Sequence, residues 1–509
     1  MAGGGAGVSE LDLGTADAGL PAAAADAADV LDSSEAGGRV VRGGVTRFAT
    51  YVLMVGLSVL SASLLTRHLG VSRFGQYTTV LSLVGVVAAI TDAGMSTVGA
   101  REFAVREGAE RERLMRDLLG LRIVLTTVGI ALVAAFALAA GYGDALLVGA
   151  LLASLGTVAL VIQHTHTIPI AAALRIGTLA GLDLTRQVLT VAAIVALVLV
   201  GAGVLPLLAV ALAVNLVLIA PTAALARNQI SLRMGFEPRR WASLLKVSIA
   251  FSLATAVGTL YVYTAQILTS LVSSEHQSGL FAASFRIFIV ISAVPGLLVG
   301  GALPLLARAA RDDRDRLAYA LQRIFQVSLL LGVAAALTTL AGASFMIEVV
   351  AGTKYRGSVE VLQIQGIALI ASFAVAGWSF ALLSLKRYRG VLITNVFSFA
   401  VSCGLTLALA SSEGARGAAI ATVCGEATLA LGSLVALVRG HPELRPPARA
   451  VLKVAAAGAP ALLVVLLLPV PSVPLTAIAL LVFAALALAV RAVPDEIFDL
   501  LPVRLRRAA

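Results

Sequence analysis

Charge is what this chain is shortest of. Asp, Glu, Lys and Arg together make up 13% of its 509 residues, about half the share of a soluble globular domain. So few charges cannot cover a folded body of this size with water-binding groups, so over much of its surface the solvent is lipid. Cysteine is almost absent. Cys403 and Cys424 both sit inside apolar runs, which excludes a disulfide framework. Catalytic signatures are missing too. There is no Gly-x-x-x-x-Gly-Lys-Ser/Thr loop, no His-Glu-x-x-His and no Gly-x-Ser-x-Gly, which removes ATP hydrolysis by that route and two hydrolase classes. His164 and His166 have no carboxylate or cysteine nearby and make a poor metal site. The expectation is a non-enzyme without cofactor or metal.

The first 38 residues contain no Lys or Arg but seven acids. Residues 1–40 read as a disordered acidic tail. They have neither the basic start nor the apolar stretch of a secretory signal.

Hydrophobic residues account for 59% of the chain, with mean hydropathy +0.97. They fall into fourteen runs, from 48–69 to 473–491. A crossing needs about 20 apolar residues for a hydrocarbon core of about 30 Å, and in lipid each must be helical to pair its amides. The stretch 187–226 is too long for one crossing. It is broken by Gly201-Ala-Gly203 and Pro206 and reads as a hairpin, whereas 280–306 reads as one helix. The fold class is thus an all-α polytopic membrane protein with about 14 transmembrane helices.

Positive charge gives the weave its direction. Of 38 Lys and Arg residues, 32 fall in one alternating set of connections, five in the other, and Arg286 within a span. The rich set marks the cytoplasmic side and places both termini there, in the cell membrane. Basic residues confined to short loops are topology signals and no nucleic-acid surface; the net charge of +10 is accounted for in the same way.

The halves are weakly alike. Gly75 and Gly279 each precede an aromatic by two positions, and Arg111-Glu112-Arg113-Leu114 parallels Arg314-Asp315-Arg316-Leu317 at nearly the same offset. Six crossings per unit is even, so two parallel lobes are expected at 41–240 and 241–440, with two further helices and a basic tail at 441–509 and a binding site between the lobes.

Arg286 lies about six residues, or about 9 Å, into the eighth span. Its helical face carries Gly279, Ala282, Ala283, Ala293 and Gly300. A cation at that depth either lines a watery cavity, where guanidinium suits phosphate, or snorkels to headgroups. Asp92, near the inner end of the second span, is a candidate ion-coupling group or a partner for Arg101 or Arg122. Glu426 in the twelfth span is a second coupling candidate, and Glu348 is a further intramembrane acid. Arg67 and Arg73 frame the first outer turn, as substrate contacts or as interfacial anchors.

The stretch Leu65-Thr-Arg67-His-Leu69-Gly70-Val-Ser-Arg73-Phe74-Gly75-Gln-Tyr77 resembles the opening signature of the polysaccharide-export flippases, within the multidrug/oligosaccharidyl-lipid/polysaccharide exporter superfamily. Gly352-Thr-Lys-Tyr355-Arg-Gly-Ser-Val-Glu-Val-Leu362 is similar to that family's loop before its tenth helix. The resemblance spans about residues 40–490. It implies alternating-access transport of a lipid-linked oligosaccharide on a polyprenyl phosphate or diphosphate, for cell-surface glycan synthesis. It further implies a monomer among membrane lipids, with glycan-assembly proteins as candidate partners, and assigns Arg286 to the lipid phosphate. A cation-coupled multidrug antiporter of the same superfamily, a membrane-embedded glycan-assembly enzyme and a scaffold are the alternatives. The scarcity of buried acids and the short outer loops weigh against the first two.

The weave is checked by thiol labelling in a cysteine-free background. A cysteine at Lys354 is expected to react with a membrane-impermeant maleimide in intact cells, and one at Arg314 only after permeabilisation.

Overall fold

The computed structural model describes residues 36–494 apart from 93, 174, 227–233, 301–305, 307–313 and 386. Most of the tail expected over 1–40 therefore lies outside the described residues; 36–40 open the first helix. The chain divides into Met1–Met54 and Val55–Ala509. In the first unit, 36–54 are helical. The account below concerns the second.

The helices run in chain order as α1 (Ala36–Asp92), α2 (Met95–Val105), α3 (Gly108–Ala139), α4 (Asp144–Ala172), α5 (Ile176–Leu199), α6 (Val204–Leu225), α7 (Pro238–Val272), α8 (Glu275–Ser292), α9 (Val294–Gly300), α10 (Arg314–Val350), α11 (Ser358–Ser384), α12 (Tyr388–Glu413), α13 (Ala415–Val438), α14 (Ala448–Leu467) and α15 (Ser472–Ala489). Twelve helices among the described residues are long and apolar enough to cross a membrane. One of them, Leu53–Val105, holds 53 residues, about 80 Å of straight helix. That is too long for one core of about 30 Å. Gly70 breaks it at φ 71° and ψ 177°, a conformation open to glycine without Cβ strain. Two crossings result. The apolar part of α7, Val257–Val272, adds another, which brings the number to fourteen.

The hairpin read from 187–226 is present as α5 and α6, turned at Gly201 with φ 73°. The single helix read over 280–306 is not continuous. It stops at Ser292 and restarts as α9, whose second residue is Pro295. A proline there lacks the amide that would continue the ladder but fits the start of a new helix. At their basic ends α3 and α10 continue beyond the apolar runs, because Arg and Glu are themselves good helix formers.

Large apolar side chains point outward, such as Leu132 at 65% exposure, Leu199 at 81% and Leu481 at 69%. Small and hydroxyl-bearing ones fill the inside, including Ser154, Thr165, Thr269, Ser284 and Thr339, all fully covered. Lipid tails are as apolar as leucine, so helices associate through close packing and hydrogen bonds. Many buried hydroxyls donate to the carbonyl one turn back, as Thr126 does to Arg122 and Thr269 to Ala265, which offsets the cost of burying them.

Packing runs mainly among α2–α6 and among α7–α15. In the first group α4 lies against α6, α3 and α2; in the second, α13 lies against α12 and α11, and α11 against α10. The last two helices, α14 and α15, pack on each other and on α10. Phe325 and Trp378 stack at 5.3 Å within the cluster that also holds Val454 and Phe483.

The described hydrogen bonds joining 55–240 to 257–440 gather at the end where the connections carry few cations. Gln76 Nε2 donates to Glu275 Oε1 at 2.7 Å, and Tyr142 lies 2.9 Å from Ser270. Thr66 donates to the Val350 carbonyl at 3.0 Å. Between these bonds α1 and α8 come into backbone contact. A Cβ on Gly75 would lie 2.5 Å from the Glu275 carbonyl oxygen and 2.8 Å from the Gly279 nitrogen. A Cβ on Gly279 would strike the Val71 carbonyl. The two glycines that suggested the internal repeat face each other.

Gly279→Val is expected to destabilise the protein by about 3 kcal/mol, since backbone must move to admit the side chain. Thermal unfolding of the purified protein in detergent would register this as a clear drop in midpoint, whereas Gly56→Val, where nothing lies within 4 Å, leaves it unchanged.

Candidate functional site

The two stretches that carry the family signature meet in space. Arg67 Nη2 donates to the carbonyls of Glu348 and Val349 at 3.3 and 3.0 Å, where the end of α10 leaves acceptors unused. The Tyr355 hydroxyl donates to the Thr66 carbonyl at 3.3 Å. Burial pushes that phenol well above its ordinary value, so it stays a donor. Its ring meets Phe74 edge to face at 6.2 Å. Gly352, at φ 86°, supplies the turn. Arg67 is thus occupied as a clamp between α1 and α10. Arg73 is exposed on the turn. Glu348 offers its carbonyl to this clamp.

Beyond the clamp, α1, α8 and α10 enclose a cavity of about 260 Å³. Ser58, Val59 and Ala62 line it from α1, and Phe345, Met346, Val349 and Val350 from α10. From α8 come Ile287, Val290, Ile291 and one ionisable side chain, Arg286. The helix presents Arg286 here because its opposite face, with Phe281, Phe285 and Phe288 stacked in a ladder at 5.0 and 5.7 Å, is buried in the core. Arg286 is half-buried and within electrostatic range of the Tyr77 phenol. It has no carboxylate partner among the described residues.

Arg122 is the opposite case. It is 1% exposed, and it donates to Asp92 Oδ1 at 2.9 Å, to Ser96 at 2.8 Å and to Thr165 at 3.3 Å. Of the two arginines weighed as partners for Asp92, the fold selects Arg122. Asp92 ends α1, Gly94 breaks the helix at φ 77°, and Ser96 begins α2. One guanidinium therefore fastens a helix break to α3 and α4. Nearby, Arg186 hydrogen-bonds Gln163, which in turn donates to Thr222.

Glu426 is 8% exposed inside the second group of helices. The Tyr261 and Ser372 hydroxyls lie close to it, and Tyr261 donates to the Thr422 carbonyl at 3.5 Å. Side chains of α7 and α11 thus flank a carboxylate carried by α13. Asp92 and Glu426 are not brought together: the first is paired with a cation, and the second is surrounded by hydroxyls. No cluster of three His, Cys, Asp or Glu residues exists among the described residues.

The sequence pointed to Arg286 because it interrupts an apolar run. Arg122 looked like one more topology signal in a basic loop. The hydroxyls around Glu426 gave no warning, since Tyr and Ser occur throughout such helices.

The profile of a family described as "Polysaccharide biosynthesis protein" matches residues 64–360. No curated protein sequence matches the chain. In fold it is similar to the lipid II flippase MurJ in an inward closed conformation, with TM-score 0.74 and 12% identity over 88% of this chain and 97% of that one. It is also similar to a multidrug resistance MATE family transporter of the MOP superfamily in an inward-facing conformation, with TM-score 0.61 and 13% identity over 79% and 98%. An outward-facing structure from that transporter family gives TM-score 0.52 and 14% identity over 79% and 96%.

The Arg122–Asp92 pair is asymmetric, because the Asp92 side chain is 47% exposed. Asp92→Asn strands a buried guanidinium and is expected to cost about 3 kcal/mol. Arg122→Met leaves a carboxylate that water can reach and costs about 1–2 kcal/mol. Paired melting curves in detergent give the order, and a larger loss in Arg122→Met would contradict this account.

Proposed function

Because the chain belongs to the polysaccharide biosynthesis protein family, we propose that it is a transporter of the MOP type rather than an enzyme and that it moves a lipid-linked oligosaccharide across the cytoplasmic membrane by alternating access. The observation that carries this reading is the Arg286 guanidinium, which has no carboxylate partner among the described residues and opens into a cavity whose other walls are apolar apart from Ser58. Such a cavity suits an amphiphile. The valine, isoleucine, phenylalanine and methionine side chains accept a polyprenyl tail, and the planar fork of arginine accepts a phosphate or diphosphate bidentately. Its volume of about 260 Å³ lies below the range of roughly 300–1,000 Å³ of sites for drug-sized ligands. It therefore holds the phosphate region, and the glycan passes where the lobes part.

The two lobes are residues 41–240 and 241–440. The tight seam at Gly75 and Gly279, with Gln76–Glu275 beside it, supports a state closed at the outer end. Parting this seam would release cargo outward. An anionic headgroup leaving a cytoplasm held negative gains about 2.3 kcal/mol per charge per 100 mV, so ATP is not needed. Arg67 and Arg73 lie at the outer rim of this route. Arg67 holds the wall and Arg73 remains available to an emerging headgroup. Glu426 is the better placed coupling group, because no cation among the described residues pairs with it as Arg122 does with Asp92. An antiporter for cationic drugs would line its cavity with acids, and this one carries a guanidinium.

Arg286→Ala is expected to abolish export of surface glycan while leaving insertion and melting unchanged, and Arg286→Lys to restore it in part. Surface-glycan assays on cells carrying each variant decide the matter. Full export by Arg286→Ala would remove the proposed phosphate contact.

A further inference from the structure

A second cavity lies away from the lobes, where α14 starts and α15 ends. It measures about 490 Å³ and is more polar than apolar in its lining. Arg449 and Lys453 enter it from the first turns of α14, Arg491 from the end of α15, and Arg323 from α10. No carboxylate is among the described residues that line it.

The cations are held in place by the fold. Arg491 is the one non-glycine residue with positive φ among those described, at 51°, a conformation that needs support from its surroundings. Two side chains from other helices provide it. Lys453 Nζ donates to the Arg491 carbonyl at 2.9 Å, and Gln326 Nε2 to the Ala492 carbonyl at 2.6 Å. The turn that ends α15 is thereby pinned to α14 and α10, with the Arg491 side chain at the cavity rim. Arg449 and Arg491 are exposed. Arg449, Lys453 and Arg491 gather three positive charges at one cavity, and an anion that fits among them relieves their mutual repulsion.

The surroundings indicate what kind of anion. The cavity lies at the ends of membrane-crossing helices, level with headgroups. Leu452, beside Lys453, is 69% exposed and lipid-facing, and Tyr319 at the rim is 53% exposed, an aromatic position characteristic of the interface. An acyl chain can run along Leu452 while its headgroup sits in the cavity. On the charge weave this is the cytoplasmic face. We propose that the cavity binds the phosphate-bearing headgroup of an anionic membrane lipid through Arg449, Lys453 and Arg491, independently of the transported cargo.

The test uses the full-length protein in nanodiscs of phosphatidylcholine containing a minor fraction of photoactivatable phosphatidylglycerol. Crosslinks are expected on peptides holding 449–453 and 491. In the triple variant R449Q/K453Q/R491Q their yield should fall about tenfold or more, at about 1 kcal/mol for each basic residue near the surface. The charge-keeping variant R449K/R491K should retain the yield. Arg449→Gln alone is an exposed change that leaves melting unaltered and should lower the yield severalfold, which separates loss of binding from loss of folding. Equal yields from wild type and the triple variant, or crosslinks that map elsewhere, would overturn the site. If millimolar inorganic phosphate abolishes crosslinking of the wild type, the anion is soluble phosphate and the lipid assignment fails.

Discussion

The contact between α1 and α8 at Gly75 and Gly279 is the constraint on which the rest of the structure depends. Backbone meets backbone there without intervening side chains. Helices can come that close only where Cβ is absent, and in lipid such closeness is a main source of attraction. Around the seam, Gln76, Glu275, Tyr142 and Ser270 add hydrogen bonds, and Tyr355 and Arg67 fasten α1 to the end of α10. The cavity containing Arg286 lies beneath this fastening. Its three walls are the helices that the seam and the clamp hold together.

A membrane interior penalises every unpaired polar group, so the state of each buried ion carries information. Arg122 is held through its two terminal nitrogens by Asp92, Ser96 and Thr165 and acts as a structural fastening. Glu426 is surrounded by hydroxyls, which hold a carboxylate without neutralising it. Arg286 has no such partners among the described residues and faces a space. The three ions thus fall into different roles by their neighbours.

The family signatures acquire a physical meaning from the same geometry. Gly70 ends the first crossing, Phe74 and Tyr355 pack edge to face, and Gly352 turns the chain at positive φ. These residues build one end of the bundle.

The sequence by itself determined the crossings, because hydrophobic length is a local property of a chain in a bilayer, and the side on which cations accumulate gave the expectation of their direction. It also singled out Arg286, since one charge in an apolar run is visible without coordinates. Only the tertiary structure decided the break of 280–306 at Ser292, the choice of Arg122 over Arg101 for Asp92, the occupation of Arg67 by backbone carbonyls, and the gathering of Tyr261 and Ser372 around Glu426. Those outcomes depend on which helix faces which across tens or hundreds of residues. Apolar runs of similar composition pack against several neighbours almost equally well, so the choice rests on small residues, hydroxyls and single ions whose partners are distant in the chain.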